Sequence, residues 1–154
     1  MSGYKKPVSV LVVIHTPALE VLLLERQAHP GYWQSVTGSQ EEGEDLAATA
    51  RREVAEETGI PAEEHHLSDW HTTNSYEIFL EWRHRYAPGV THNTEHVFSL
   101  LVPEPVAVTL APDEHRAWRW LSWQEAATAC FSWSNRDAIL QLPERLASQT
   151  HNLP

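Results

Sequence analysis

The sequence predicts an α/β domain, and three observations carry that reading. Residues 8–14 (VSVLVVI) form a β-branched apolar run with the character of a central strand. Residues 38–60 (GSQEEGEDLAATARREVAEETGI) run from a loop into a helix marked by start and stop signals. Two further helical segments close the chain after a last strand. At 154 residues and 42% hydrophobic content, the chain is of one-domain size and can bury a substantial core.

Taken in order, the strand at 8–14 is expected to pair with 21–24 across a turn at Thr16-Pro17, giving a hairpin. His29-Pro30-Gly31 makes a second turn, and 32–36 a short strand that delivers Thr37-Gly38 into the loop. In the helix that follows, Asp45 is placed to cap the free N–H groups. Leu46, Ala47, Ala50 and Val54 form a narrow apolar stripe, Gly59 supplies the left-handed stop, and Pro61 prevents continuation. Residues 67–86 read as extended, with a break at 72–75 and an alternating strand at 77–82. The turn at 87–90 leads to a strand at 95–102. After a loop punctuated by Pro103, Pro105 and Pro112, a strand at 116–121 follows. Ser122 is expected to cap a helix over 123–130, with Glu125 in the capping-box position. Ser134 is expected to cap the last helix, Pro143 to end or kink it, and the tail after Ser148 to fray.

The charge pattern of the first helix carries chemistry. Glu53, Glu56 and Glu57 stand at i, i+3 and i+4 with no lysine between them, and each like-charge pair costs about 0.2–0.5 kcal/mol on a helix surface. Clustered carboxylates at this spacing suit a hard divalent cation shared with substrate phosphates, Mg²⁺ above all. Arg52, four residues before Glu56, can hold that carboxylate. Gly38 is expected to let phosphate or metal approach the backbone. Arg83-His84-Arg85 concentrates positive charge in an acidic chain, and alternation would send Arg83 and Arg85 to one face as a polyanion patch.

Composition excludes several classes. A net charge of −10 argues against sequence-independent binding of a nucleic acid polymer. No apolar run reaches membrane-spanning length, and the run at 8–14 lacks the pattern of a signal peptide, so no membrane partner is expected. The single cysteine, Cys130, excludes an internal disulfide, fits a reducing cytoplasm, and reads as a small hydrophobe. The ten histidines show no zinc-ligand spacing and none is assigned to a metal.

Gly38, Glu44, Arg52, Glu53, Val54, Glu56, Glu57, Gly59 and Ile60 fill every defined position of the pattern G-x5-E-x7-R-E-U-x-E-E-x-G-U, with U bulky and aliphatic. On those residues the chain is identified as a member of the Nudix hydrolase family. Four further segments, 6–9, 33–39, 83–91 with 93–95, and 132–136, resemble the bacterial branch of that family that hydrolyses dihydroneopterin triphosphate in folate biosynthesis. The likeness runs from about residue 5 to 141 and is weak at 61–74 and 103–112.

The resemblance implies a Nudix fold, an α/β/α sandwich around a mixed β-sheet with the loop-helix box on it. It implies Mg²⁺-assisted attack of water on phosphorus, releasing pyrophosphate from 7,8-dihydroneopterin triphosphate. It places Glu53, Glu57 and Glu114 at the metal, with Glu56 a further candidate ligand and Arg52 in the catalytic set. Lys5 (or the adjacent Lys6), Arg26, Thr37, Tyr76, Glu77, Ile78, Phe79 and Ser132 fall at positions expected to touch substrate. On physical grounds an aromatic such as Tyr76, Phe79 or Trp133 is a candidate to stack on the pterin, a buried core position being the commoner fate of such residues. The general base is either Glu114 or a box glutamate. A (d)NTP pyrophosphohydrolase and a non-catalytic nucleotide-binding module are the alternatives, and the intact box carboxylates count against the second.

Overall fold

The computed structural model describes residues 3–151, with side chains to 148. At its centre is β1 (Val8–His15), and Val10, Leu11, Val12, Val13 and Ile14 are all at most 2% exposed. A strand apolar at consecutive positions needs cover on both faces. The sheet provides it by placing β1 inside: order β3-β2-β1-β6-β5, with β4 also on β1 and β7 on β2. β1 runs parallel to β6 (His92–Leu101) in unbroken register from Val8↔Thr94 to His15↔Leu101. Its other edge takes β4 (Val36–Ser39) antiparallel, from Ser9↔Ser39 to Val12↔Val36. The remaining pairs are antiparallel, so the sheet is mixed.

Alternation sorts the core into two layers. Val10, Val12 and Ile14 point to the face covered by α1 (Leu46–Thr58), packing with Ala50, Val54, Phe98 and Leu100. Leu11 and Val13 point to the opposite face, covered by α2 (Trp123–Ala129) and α3 (Trp133–His151) through Ala126, Ala127, Ala138, Ile139 and Leu142. Each fully buried Val, Leu or Ile contributes roughly 1.5–3 kcal/mol of transfer free energy. This is the expected sandwich around a mixed sheet.

The ends of α1 follow local chemistry. Asp45 Oδ1 accepts from the Ala48 N–H at 2.8 Å, and Gly59 takes φ 74° with its N–H on the Ala55 carbonyl. Ser122 caps α2 and exchanges bonds with Glu125, as its spacing predicts.

Several expectations are corrected. The hairpin of β1 and β2 (Glu20–Arg26) closes only at His15↔Val21, because β4 takes the same edge of β1 from Ser9 to Val12; β2 pairs along its other edge with β7 (His115–Ser122). The short strand at 32–36 is two pieces, β3 (Trp33–Gln34) and β4, broken at Ser35. There Asn135 holds the chain: its Oδ1 accepts from the Ser35 N–H at 2.8 Å and its Nδ2 donates to Ser35 Oγ at 2.9 Å. β5 (His66–Glu77) passes through 72–75 without a break; its irregularity lies between Asp69 and Thr73, where His71 has φ 53°. The strand expected at 77–82 is a 3₁₀ helix, Leu80–Arg85, in which the alternation argument for Arg83 and Arg85 does not apply. Ser132, not Ser134, caps α3, accepting from the Asn135 N–H at 3.3 Å, while Ser134 lies buried in the first turn. α3 continues through Pro143 and residues 149–151; the rest of the tail expected to fray, residues 152–154, lies outside the described residues.

Candidate active site

The loop before α1 is clamped onto the helix by one ion pair. Arg52 Nε donates to Glu44 Oε2 at 2.6 Å and Nη2 to Glu44 Oε1 at 3.0 Å, a two-pronged contact that holds the Glu44 carboxyl down at about 2. The same guanidinium donates to the Ser39 carbonyl at 2.9 Å and to Glu53 Oε1 at 2.7 Å. Arg52 thus joins the end of β4, the loop and the helix, and fixes the first box carboxylate.

Gly38 faces that carboxylate. A Cβ built at Gly38 would collide with the Glu53 carboxyl group, so the glycine makes room for a side chain of α1. Its backbone is extended and paired with Val10, so the lack of a side chain is what matters.

Glu53 and Glu57, expected on the polar face, are buried at 8% and 1% exposure. Burial pushes the Glu57 carboxyl well above the usual range, reinforced by its hydrogen bond to Glu53 and by the charges of Glu53 and Glu114; the Thr37 N–H, which bonds to it, works the other way. Burial also raises Glu53, against the pull of Glu57 and Arg52. Glu57 Oε1 has no hydrogen-bond partner. Ligand atoms of Glu57, Glu114 and His115 lie within 4.8 Å of one another, the one such group among the described residues. A buried carboxylate oxygen without a partner, crowded by two further acids, is what a bound divalent cation resolves, and these residues fit one.

His115 is the residue that spacing missed. It is 3% exposed, 3.8 Å from Glu57 Oε1, and burial, then Arg26, brings its imidazole down to about 4. A neutral ring there makes no salt bridge. Gln34 Nε2 lies 3.3 Å from His115 Nε2, and Arg26 Nη1 donates to Gln34 Oε1 at 3.4 Å. The signal in the sequence was its place beside Glu114 at the head of a strand, a position that turns inward.

Two cations border the acids. Arg26 lies 4.9 Å over the Trp82 ring and Lys5 5.9 Å over Tyr86. Desolvation, then Arg85, lowers both, while Glu114, with Glu57 at Arg26 and Glu53 at Lys5, pulls the other way. Lys5, Arg26, Arg85 and the acids therefore share one electrostatic neighbourhood. Arg83 is drawn elsewhere, donating to Glu77 at 2.7 Å and to the Ile78 carbonyl at 3.0 Å.

The other residues singled out in the sequence divide by surroundings. Glu56 is exposed and paired with Arg52 at 3.3 Å. Thr37 Oγ1 donates to the Val10 carbonyl, and Tyr76 Oη accepts from Asn93 Nδ2 at 2.9 Å. Glu77 is exposed and Ile78 buried at 4%, its N–H on the Thr91 carbonyl. Phe79 is 53% exposed, edge-on to Trp82 at 5.0 Å, and Trp133 is 47% exposed. Cys130 is half-buried, its thiol pushed up to about 12 by burial, as a hydrophobe and not a nucleophile would be.

The NUDIX domain model matches residues 5–142. Over 141 residues the chain is 50% identical to a dihydroneopterin triphosphate diphosphatase of Escherichia coli strain K12, covering 90% of this chain and 93% of that protein. Over 142 residues it is 39% identical to the protein of the same name in Haemophilus influenzae, covering 90% and 89%. Among solved structures, the E. coli dihydroneopterin triphosphate pyrophosphohydrolase superposes with a TM-score of 0.84 at 50% identity, covering 90% of this chain and 95% of that one.

Proposed function

This chain belongs to the NUDIX domain family, and from that premise we propose that it hydrolyses 7,8-dihydroneopterin triphosphate to the monophosphate and pyrophosphate with Mg²⁺. The observation that carries the hydrolytic reading is the buried, unpartnered Glu57 oxygen, flanked by Glu53 and Glu114 and bordered by Arg26 and Lys5. The choice of pterin rests on the likeness to the E. coli and H. influenzae enzymes over nine-tenths of the chain.

Glu53, Glu57 and Glu114 would hold the metal, which when bound neutralises phosphate oxygens and the charge developing on the leaving group. Arg52 keeps Glu53 in place, and the Thr37 N–H keeps Glu57 in place. Arg26 and Lys5 receive the anionic phosphates, Arg26 braced on Trp82. Glu114 is exposed on a loop, whereas Glu53 is tied by Arg52 and Glu57. Of the acids at the metal, Glu114 is therefore the one whose second oxygen can still face solvent and take the proton of the attacking water. That water bonds to phosphorus as the phosphoanhydride bond to pyrophosphate breaks.

Pyrophosphate release with Mg²⁺, from dihydroneopterin triphosphate and dATP at equal low concentration, tests the proposal. A clear preference for the pterin is expected. A preference for dATP would move the chain to nucleotide-pool hydrolysis, and release from neither would overturn the activity altogether.

A further inference from the structure

The segment Asn93-Thr94-Glu95 takes no part in the hydrolytic chemistry, yet two of its side chains are buried without full partners. Glu95 is 4% exposed, and none of the ion pairs among the described residues includes it. Its carboxylate accepts from Asn74 Nδ2 at a long 3.4 Å and from the Ser134 hydroxyl in the first turn of α3. A buried carboxylate with so little compensation is costly unless something else uses it. Asn93 is 2% exposed; its Nδ2 donates to Ser9 Oγ at 2.7 Å and to Tyr76 Oη at 2.9 Å, while its Oδ1 has no partner. Either orientation of this carboxamide leaves one buried polar atom orphaned, at a cost large enough to call for a use.

Strand register puts these groups together. Residues paired across strands share a face, so Leu11↔Thr37, Leu11↔Val97 and Tyr76↔Asn93 place Thr37, Asn93, Glu95, Asn74 and Tyr76 on one side of the sheet. It is the side covered by α3, whose apolar packing reaches Leu11 and Val97. Beyond them the same face turns polar, beside the N-terminus of α3 and the half-exposed Trp133. Thr37, whose N–H binds Glu57, stands two strands from Asn93 and Glu95, about 10 Å at the usual strand spacing. Glu57 belongs to α1 on the opposite face and meets this side only at Thr37 of β4, so a bicyclic ring on a three-carbon tether would pass Thr37 to bring its phosphates to the acidic group.

We propose that Glu95, with Asn93, reads the donor edge of a 2-amino-4-oxopyrimidine ring: the carboxylate accepts from the 2-amino group and the adjacent ring N–H, and the Asn93 carbonyl takes a further donor. This deepens the pterin reading and rests on it. Guanine carries the same edge and adenine does not, so the pair discriminates by ring chemistry and not by size. Both acceptors are buried while no ring is bound, so entry requires rim side chains such as Tyr76 to give way.

The test is kcat/KM of the wild type, Glu95→Gln and Asn93→Ser on dihydroneopterin triphosphate, dGTP and dATP, with a melting curve for each protein. A hydrogen bond to a charged acceptor corresponds to about a 10–100-fold change, so Glu95→Gln should lower both the pterin-to-dATP and dGTP-to-dATP ratios by that factor, chiefly through KM. Asn93→Ser should lower the same ratios by about 5–10-fold, a neutral acceptor being weaker, and it carries the test should Glu95→Gln not fold. Ratios that stay constant, whether or not overall rates fall, would assign both residues to structure and overturn the proposal. If wild type does not prefer the pterin, the substrate reading fails on its own, and the dGTP-to-dATP ratio still decides the role of Glu95.

Discussion

The carboxylate of Glu53 occupies the volume that a side chain at Gly38 would fill. A strand residue and a helix residue fifteen positions apart are thereby matched in shape, and Arg52 locks the match by donating to Glu53 Oε1 and to the Ser39 carbonyl next to Gly38. The obstacle to a larger residue is the far end of a side chain, which can turn away at little cost to the fold. Gly38→Ala should therefore melt within a few degrees of wild type yet lose about 100-fold or more in kcat/KM, the penalty for misplacing a reacting or ligating group by an ångström. Circular dichroism melting together with pyrophosphate release checks it; wild-type turnover in the variant would show that the position of Glu53 does not matter.

Arg52 makes a contact that lysine cannot reproduce. Its Nε and Nη2 span both oxygens of Glu44, and its remaining donors reach Ser39, Glu53 and Glu56. A single ammonium retains the charge but cannot address the loop, the strand and the helix at once. Arg52→Lys is expected to lower activity and metal affinity by about 10–100-fold, the usual cost of losing a group that orients a ligand. Isothermal titration with Mn²⁺, run beside the kinetic assay, separates loss of metal from loss of chemistry.

What the sequence made legible was the chemistry decided within a few residues. Asp45 and Gly59 end α1 where their own conformational preferences say, and the unbroken apolar character of β1 announces a strand covered on both faces. Contacts between distant residues were not legible in the same way. The alternation of residues 77–82 promised a strand, yet no β6 residue beyond His92 is there to pair with it, and the chain turns into a 3₁₀ helix. The depth of Glu57 depends on how α1 lies on β4, and the place of His115 on where β7 begins. The box pattern named the acids but not their burial.

That burial has a consequence for stability against pH. A carboxyl group whose folded pKa is raised stabilises the fold fully only below its unfolded value near 4.5, and the contribution is lost as pH climbs through the folded value. His115 and His15, both lowered, act oppositely, but their effect is complete once pH passes 6.5, the unperturbed histidine value. Above pH 6.5, where the histidines no longer contribute, the metal-free protein should therefore lose stability with rising pH until Glu57 and Glu53 have ionised. Glu57→Gln removes that demand, so its melting temperature should fall less over the same range, and it should be catalytically inactive. Mg²⁺ should flatten the wild-type curve by stabilising the ionised pair. Melting curves of both proteins in chelator and in Mg²⁺ test this; parallel slopes in chelator would mean that Glu57 is not the group responsible.

Asn135 tests the scaffold independently of the chemistry. Its carboxamide bonds the backbone and hydroxyl of Ser35, one hundred residues away, at the point where β3 gives way to β4. Asn135 and Ser35 are each 1% exposed, so no water replaces a lost partner at the surface. Asn135→Ala leaves the Ser35 N–H and hydroxyl buried and unpaired, each costing about 1–3 kcal/mol. Urea unfolding should show a loss of about 2–6 kcal/mol on that basis, with an unchanged slope. Because Ser35 precedes Thr37 by two residues, the variant should also raise KM, and added Mg²⁺ should not restore it. Asn135→Asp keeps the acceptor for the Ser35 N–H, while the hydroxyl, itself a donor, can bond the new carboxylate. The aspartate should therefore recover part of the stability that alanine loses, whereas equal losses in the two variants would assign the effect to packing instead of to these two hydrogen bonds.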